Sequence, residues 1–166
     1  MSPASHDSLQ RACDLAASVA ARRVVQVGGS TALSLALARG VHRTTRGRGG
    51  LVIMADLGRS RMECGSAAEL GQSGVAEYVH VFVGDPRCTL QGVEGPFDLV
   101  WLDCSAELAA DVLTILGGRL REGALVAGFA AERAFEAASR APGLRLRSGS
   151  TLRTRARGSR LQGPAA

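Results

Sequence analysis

Five short apolar runs, separated by segments with helical periodicity, are the feature of this 166-residue chain that most restricts its fold. The pattern predicts strands at residues 24–27, 51–55, 78–84, 98–103 and 124–130. Runs such as "LVIMA" and "ALVAGFA" are apolar almost throughout, which is typical of strands covered on both faces. Because crossovers between parallel strands are right-handed, the intervening helices fall on both sides of the sheet. We therefore predict an α/β fold with a doubly wound, mostly parallel sheet of at least five strands.

The helical segments complete this organisation. Helices are predicted at residues 7–22, 31–39, 59–72, 105–117 and 131–140. The glycine- and arginine-rich stretch 40–50 is predicted to be a loop, and Ser148-Gly149 is a weak signal for a hairpin turn. The alternation predicts a Rossmann-like domain over residues 1–144 and a basic C-terminal tail over residues 145–166.

The charge distribution separates the tail from the domain. Residues 145–166 contain six of the twenty basic residues, all of them arginine, and no acid. A basic tail can attract a nucleic acid through its field, although this tail has no aromatic residue for stacking on bases. A solvated terminus, with a weak hairpin followed by disorder, is the alternative interpretation. Any contact with nucleic acid is predicted through the tail alone.

The cysteines argue against a disulfide framework or a zinc site. Cys13, Cys64, Cys88 and Cys104 are widely separated and form no CxxC pair. Free thiols suit a reducing compartment, so a cytoplasmic location is predicted. No apolar run has the length of a membrane span, and the N-terminus lacks the pattern of a secretory signal. We therefore expect neither a metal ion nor a membrane as a partner.

Glycine and aspartate follow four of the predicted strands. Gly28-Gly29-Ser30 follows the first strand, Asp56 the second and Gly84-Asp85 the third, and Asp103 ends the fourth. In parallel sheets, ligands bind at the carboxyl ends of the strands. Glycines there admit a ligand close to the backbone, and an acid can accept hydrogen bonds from ribose hydroxyls. This pattern indicates a nucleotide-like cofactor. Two structural roles are equally possible from the residues alone: Asp56 can cap the following helix, and Gly84-Asp85 can form an ordinary turn.

These residues lie in stretches that resemble the class I S-adenosylmethionine (SAM)-dependent methyltransferases, particularly the small O-methyltransferase branch. The matching stretches span roughly residues 20–130 in the expected order, and they are "VVQVGGSTALSLALA", "GGLVIMADL", "AAELGQSGVAEYVHVFVGDP", "EGPFDLVWLDCSAE" and "LREGALVAG". A plant family of methyltransferase-like proteins with eroded glycine motifs has the same layout, and the chain resembles it as well. The resemblance implies SAM as the cofactor.

By that resemblance, each candidate residue has a separate role. Gly28, Gly29 and Ser30 would lie under the methionine and ribose part of SAM. Asp56 would hold the ribose hydroxyls, and Gly84 with Asp85 would border the adenine. Asp103 would lie at the rim of the active site, where it is the candidate catalytic residue.

The chain also departs from the family's pattern. The usual glycine-x-glycine-x-glycine is here Gly28-Gly29-Ser30-Thr31-Ala32, and the acid common in the first strand is Gln26. Metal-dependent members have Asp-x-Asp-Lys and Asp-Asn where this chain has "DCSAE" and "AGFAA", and a single carboxylate cannot hold a divalent ion in a defined geometry. No lysine is present to act as a base. We predict a SAM-binding, methyltransferase-like protein with weak or lost O-methyltransferase activity on an unidentified small molecule.

Other interpretations stay open at this point. A non-catalytic interaction module with a methyltransferase fold is favoured by the lost glycines and the missing metal ligands. A nicotinamide-dependent oxidoreductase is disfavoured, because Gly-x-Gly-x-x-Gly is absent. In addition, Asp56 lies farther from Gly28 than the usual spacing of about 20 residues. The oligomeric state cannot be read from the residues.

Overall fold

A computed structural model describes residues 6–56, 71–128, 151–154 and 160–162. Its elements in chain order are α1 (His6–Ser18), β1 (Arg23–Gly28), α2 (Thr31–Thr45), β2 (Leu51–Asp56), a 3-10 turn (Ala76–Tyr78), β3 (Val79–Val83), α3 (Pro86–Thr89), β4 (Phe97–Asp103), α4 (Ala106–Leu116), a second 3-10 turn (Gly117–Arg119), β5 (Leu120–Gly128), β6 (Thr151–Thr154) and β7 (Arg160–Gln162). The predicted helix 131–140 lies outside the described residues. Of the predicted helix 59–72, residues 71 and 72 are described, and both are helical.

The strands of the described residues form one seven-stranded sheet in the order β3-β2-β1-β4-β5-β6-β7. Strands β1 to β6 are parallel to their neighbours, and β7 is antiparallel to β6. The chain order reverses at β1, since β2 and β3 extend to one side of it and β4 and β5 to the other. The predicted Rossmann-like, doubly wound, mostly parallel sheet is therefore confirmed. Its switch point lies between β1 and β4.

Helices cover both faces of the sheet, as predicted. Val24 and Val52 face a core formed with α1 and α2, whereas Val25 and Ile53 face a second core formed with α4. Successive strand residues enter opposite cores because side chains alternate along a strand. Burial of each such side chain contributes about 1.5–3 kcal/mol, so the two layers dominate the stability of the fold. No helix within the described ranges combines the length and the apolar character needed to cross a bilayer.

Helix α2 continues through Gly40, so the prediction of a loop from residue 40 is wrong. Gly40 is buried, and a side chain there would collide with the carbonyl oxygen of Cys13 and lie 2.7 Å from the Cβ of Ala16. The glycine therefore permits close packing of α1 against α2 and does not end the helix. The helix is instead capped by Arg46 in the left-handed conformation (φ 51°, ψ 42°).

Two short strands lie in the C-terminal part of the chain that the structure describes. The predicted turn at Ser148-Gly149 lies outside the described residues. Strands β6 and β7 pair in antiparallel fashion, with Leu152 opposite Leu161, and β6 continues the sheet beside β5. Two segments of the basic stretch 145–166 thus have strand backbone at this end of the sheet.

Candidate functional site

The ends of β1 to β4 lie in one row at the carboxyl edge of the sheet. Gly28 of β1 pairs with Asp103 of β4, and Asp56 of β2 pairs with Val83 of β3. The residues that precede Gly28 and Asp56 also pair with each other. The strand register therefore brings the predicted glycines and acids to the same edge, beside the switch point where ligands bind in such sheets.

The turn after β1 requires glycine at two positions. Gly28 and Gly29 have φ values of 71° and 83°, in the left-handed region that favours glycine. Ser30 has φ −108°, which any residue adopts, and its hydroxyl caps α2 by accepting from the backbone N–H of Leu33 at 3.3 Å. Ala32 lies in the first turn of α2. The two departures from the family's glycine motif therefore fall where the backbone does not need glycine.

Gln26 is fully buried beneath this turn. Its amide nitrogen donates to the carbonyl oxygens of Gly28 at 2.8 Å and Ser30 at 3.3 Å. Its amide oxygen accepts from the hydroxyl of Ser34 at 2.8 Å, and that hydroxyl lies 3.2 Å from the sulfur of Met54. A carboxylate could accept from Ser34 but could donate to neither carbonyl. The amide at position 26 therefore holds the glycine turn from inside.

Two acids of β4 have contrasting environments. Asp98, near the start of the strand, is buried, and one of its oxygens accepts from the backbone N–H groups of Arg22 and Arg23 at 2.8 and 2.9 Å. Its other oxygen forms an ion pair of 2.9 Å with Arg121. Asp98 is thus fully engaged in holding the starts of β1 and β5. Asp103 ends the same strand at the opposite edge of the sheet.

Asp103 is partly exposed, and its carboxylate has no hydrogen bond or ion pair with the residues that the structure describes. One of its carboxylate oxygens lies 3.5 Å from the position that a Cβ on Gly29 would occupy. A carboxylate without a partner in the described ranges therefore stands directly beside the left-handed turn. An acid without a structural partner at the switch point is available to a ligand.

Asp85 caps the short helix α3 that follows β3. Its carboxylate accepts from the backbone N–H of Arg87 at 2.9 Å and lies 3.5 Å from that residue's guanidinium group. The guanidinium also forms a 2.6 Å ion pair with Asp111 of α4, and this hydrogen bond raises the pKa of Arg87. Gly84 precedes the cap with φ 140°. The structure thus contains the turn that was one interpretation of Gly84-Asp85, and the Asp85 side chain is still exposed at the edge.

Three aspartates mark the carboxyl edge of the sheet among the described residues. Asp56, Asp85 and Asp103 end or follow its strands, and Arg87 is already paired with two carboxylates. Within the described ranges, no group of three or more histidine, cysteine or acidic residues could hold a metal ion. In this part of the chain, the carboxylate of Asp103 is thus a negative charge without a cationic partner.

Three residues that shape the site are missing from the sequence prediction, namely Ser34, Arg87 and Asp111. A buried amide within an apolar strand implies a polar partner nearby, and this signal at Gln26 could have identified Ser34. Arg87 and Asp111 lie on different helices, 24 positions apart. No spacing rule predicts such a pair.

Cys104 follows Asp103 and lies beside the turn, with its Cβ 3.7 Å from the position that a Cβ on Gly28 would occupy. Burial is the main cause that raises the pKa of this thiol from 9.0 to about 11, and the charge of Asp103 adds to the effect. Arg87 opposes the shift. The thiol is thus protonated at neutral pH, and it reports on the charge of Asp103.

We expect Cys104 to react slowly with iodoacetamide in a protein whose other cysteines, Cys13, Cys64 and Cys88, are replaced by alanine. At about pH 8 a thiol with this pKa reacts roughly tenfold more slowly than an ordinary one, because the smaller thiolate fraction outweighs its greater nucleophilicity. The rate should rise with pH beyond 9, and Asp103→Asn should increase it at a given pH. A profile that levels off near pH 9, or no effect of Asp103→Asn, would contradict this assignment.

Comparison with known proteins places the fold among methyltransferases. No family model matches the chain, and no curated protein matches it. Cofactor-bound Rv0187 from MTB is 27% identical with a TM-score of 0.69, over 84% of this chain and 70% of that one. The O-methyltransferase TomG from Streptomyces achromogenes, in complex with SAM, is 28% identical with a TM-score of 0.61, over 74% of this chain and 54% of that one.

The methyltransferase PaMTH1 from Podospora anserina, bound to S-adenosylhomocysteine (SAH), is 22% identical with a TM-score of 0.61, over 74% of this chain and 50% of that one. This chain therefore spans only about half the length of TomG and PaMTH1. The neighbours in fold include methyltransferases bound to SAM or SAH. They support the predicted class I methyltransferase resemblance.

Proposed function

We propose that this chain is a methyltransferase-like protein that binds SAM at the carboxyl edge of β1 to β4. The observation that carries the proposal is the row of strand ends formed by Gly28, Asp103 and Asp56. Gly28 and Gly29 there have left-handed backbone, and the carboxylate of Asp103 is unpaired as far as the structure describes the chain. A Cβ on Gly28 would collide with the carbonyl oxygen of Asp103, so the turn lies close against β4. When bound, SAM supplies an electrophilic methyl group on a sulfonium sulfur.

The charges of the site fit this cofactor. SAM carries positive charge on its sulfonium and α-ammonium groups, and the described residues of the edge include the carboxylates of Asp85 and Asp103. We assign the carboxylate of Asp103 to the α-ammonium group, because it has no partner among the described residues and stands beside Gly29, under the methionine part. A nicotinamide dinucleotide would instead bring a pyrophosphate anion toward the same acids, which disfavours the oxidoreductase alternative.

The other contacts follow from the resemblance. Gly28, Gly29 and Ser30 lie under the methionine and ribose, and Asp56 accepts from the ribose hydroxyls. Gly84 and Asp85 border the adenine, and the exposed carboxylate of Asp85 leaves room for this role beside its capping bond. The finer resemblance to the plant methyltransferase-like family stays a prediction.

We propose that the activity is a small-molecule O-methylation that is weak or lost. Methyl transfer needs an acceptor held in line and, for many acceptors, a base. Among the described residues, Asp103 is the candidate base, and binding of the α-ammonium group would remove it from that role.

The loss of Asp103 as a base favours the second candidate function, a non-catalytic interaction module. Detection of methyl transfer from labelled SAM to any member of a library of phenols and hydroxy acids would exclude that alternative.

Isothermal titration calorimetry tests the binding proposal. We expect SAM and SAH to bind the full chain, and Asp56→Ala to weaken binding by about 1–3 kcal/mol through the loss of charged hydrogen bonds. Asp14→Ala is the matched control, because it removes an equal charge from an exposed ion pair with Arg43 outside the proposed site. Folded protein that gives no heat at high micromolar ligand would refute the proposal, as would equal losses in the two variants.

A further inference from the structure

Strand β3 is an apolar edge of the sheet. It is the first strand in the sheet order and pairs only with β2 within the described residues. The large apolar side chains that are exposed in the described part of the chain all lie in this strand, and they are Val81, Phe82 and Val83, at 37%, 38% and 68% exposure. Such an edge is a template for pairing with another strand.

The five residues of the strand include none of the residue types that usually block this pairing. Its sequence, "VHVFV", contains no lysine, no acid and no proline, and its register with β2 is regular over five residue pairs. Alternate backbone N–H and C=O groups along the outer side of an edge strand have no partner in the sheet. A second strand would satisfy these groups and cover the exposed valines.

We propose that β3 pairs with β3 of a second copy of this chain, in antiparallel orientation about a two-fold axis at Val81. On either side of Val81 the strand has one non-valine residue, His80 or Phe82, followed by a valine. A second copy in antiparallel orientation therefore matches this pattern. Val79 then lies opposite Val83 of the partner subunit, and His80 lies opposite Phe82 of the partner subunit. The two sheets join into one continuous sheet across an isologous interface.

The residue pattern of the strand favours a second copy as the occupant. The two-fold pairing places His80 against the aromatic ring of Phe82 of the partner subunit, and the strand contains no acid, lysine or arginine. Valine pairs line one face of the joined strands, and such β-branched pairs stabilise antiparallel strands.

Sedimentation analysis of the full chain, from about 1 to about 100 µM, tests the proposal over the range in which weak dimers dissociate. We expect a species of twice the 17.2 kDa chain mass. Val81→Lys and Val81→Glu should each give monomers, because each variant places two like charges opposite each other at the two-fold axis. Gln91→Lys adds the same charge at an exposed turn and should leave the dimer intact.

Mixing the two Val81 variants distinguishes this geometry from general loss of an apolar contact. An equimolar mixture of V81K and V81E should recover a dimer with one chain of each kind, because the new charges then face each other with opposite sign. Urea unfolding verifies that each variant is folded. A wild-type chain that stays monomeric at about 100 µM would overturn the proposal. So would a dimeric V81K protein, or a mixture of folded variants that stays monomeric.

Discussion

Replacement of Gln26 by glutamate is expected to destabilise the protein by about 3–5 kcal/mol at about pH 7.5, the range for an uncompensated buried charge. The new carboxylate would face the carbonyl oxygens of Gly28 and Ser30, to which the native amide donates. Both carbonyls would lose their donor, and the charge would be buried where the native side chain is fully inaccessible. Urea unfolding followed by circular dichroism measures the loss.

The loss should depend on pH in a defined direction. Burial beside two carbonyl oxygens raises the pKa of the introduced carboxyl above its unfolded value of about 4.3. The folded state then binds more protons than the unfolded state above that pH, so the variant loses stability relative to wild type as pH rises.

Gln26→Met is the matched control, because it leaves the same carbonyls unpaired without a charge. It should cost about 1–3 kcal/mol with no comparable pH dependence. Equal losses in the two variants would show that charge burial at position 26 is not the cause.

Replacement of Gly28 by alanine is expected to cost about 2–5 kcal/mol. The left-handed φ of 71° disfavours a side chain by about 1–2 kcal/mol. In addition, the new Cβ would collide with the backbone carbonyl of Asp103, which cannot move without separating β1 from β4. Such overpacking typically costs a further 1–3 kcal/mol or so. The free energy of unfolding in urea is the appropriate measurement.

Gly49 provides a control with the same backbone conformation. Its φ is also 71°, and a Cβ built there meets nothing within 4 Å. Gly49→Ala should therefore report the cost of the left-handed conformation alone, about 1–2 kcal/mol. The difference between the two variants isolates the contact of the turn with β4. If both variants lost the same stability, the close approach at Gly28 would not exist in solution.

The layered fold was predictable because strands buried on both faces are mostly apolar. Runs such as residues 51–55 and 99–102 therefore identify the central strands directly. The positions of Gly28 and Asp103 at strand ends were predictable for a similar reason, since turn residues must follow each strand. The boundary of α2 was not predictable, because Gly40 inside a helix is indistinguishable by composition from a glycine that ends one.

Residue order was enough to assign the residues at strand ends, through the periodicity of burial and the chemistry of turns. It could not determine which of them have structural partners, because those partners are distant in the chain and are brought close only by folding. Asp98 and Asp103 look equivalent in "FDLVWLD", yet two backbone N–H groups and an arginine bind the first, and none of the described residues binds the carboxylate of the second. Gln26 looks like a lost acid until its amide is seen beneath the turn. The folded coordinates were needed for these residues, because hydrogen bonding and burial depend on distances that residue order does not contain.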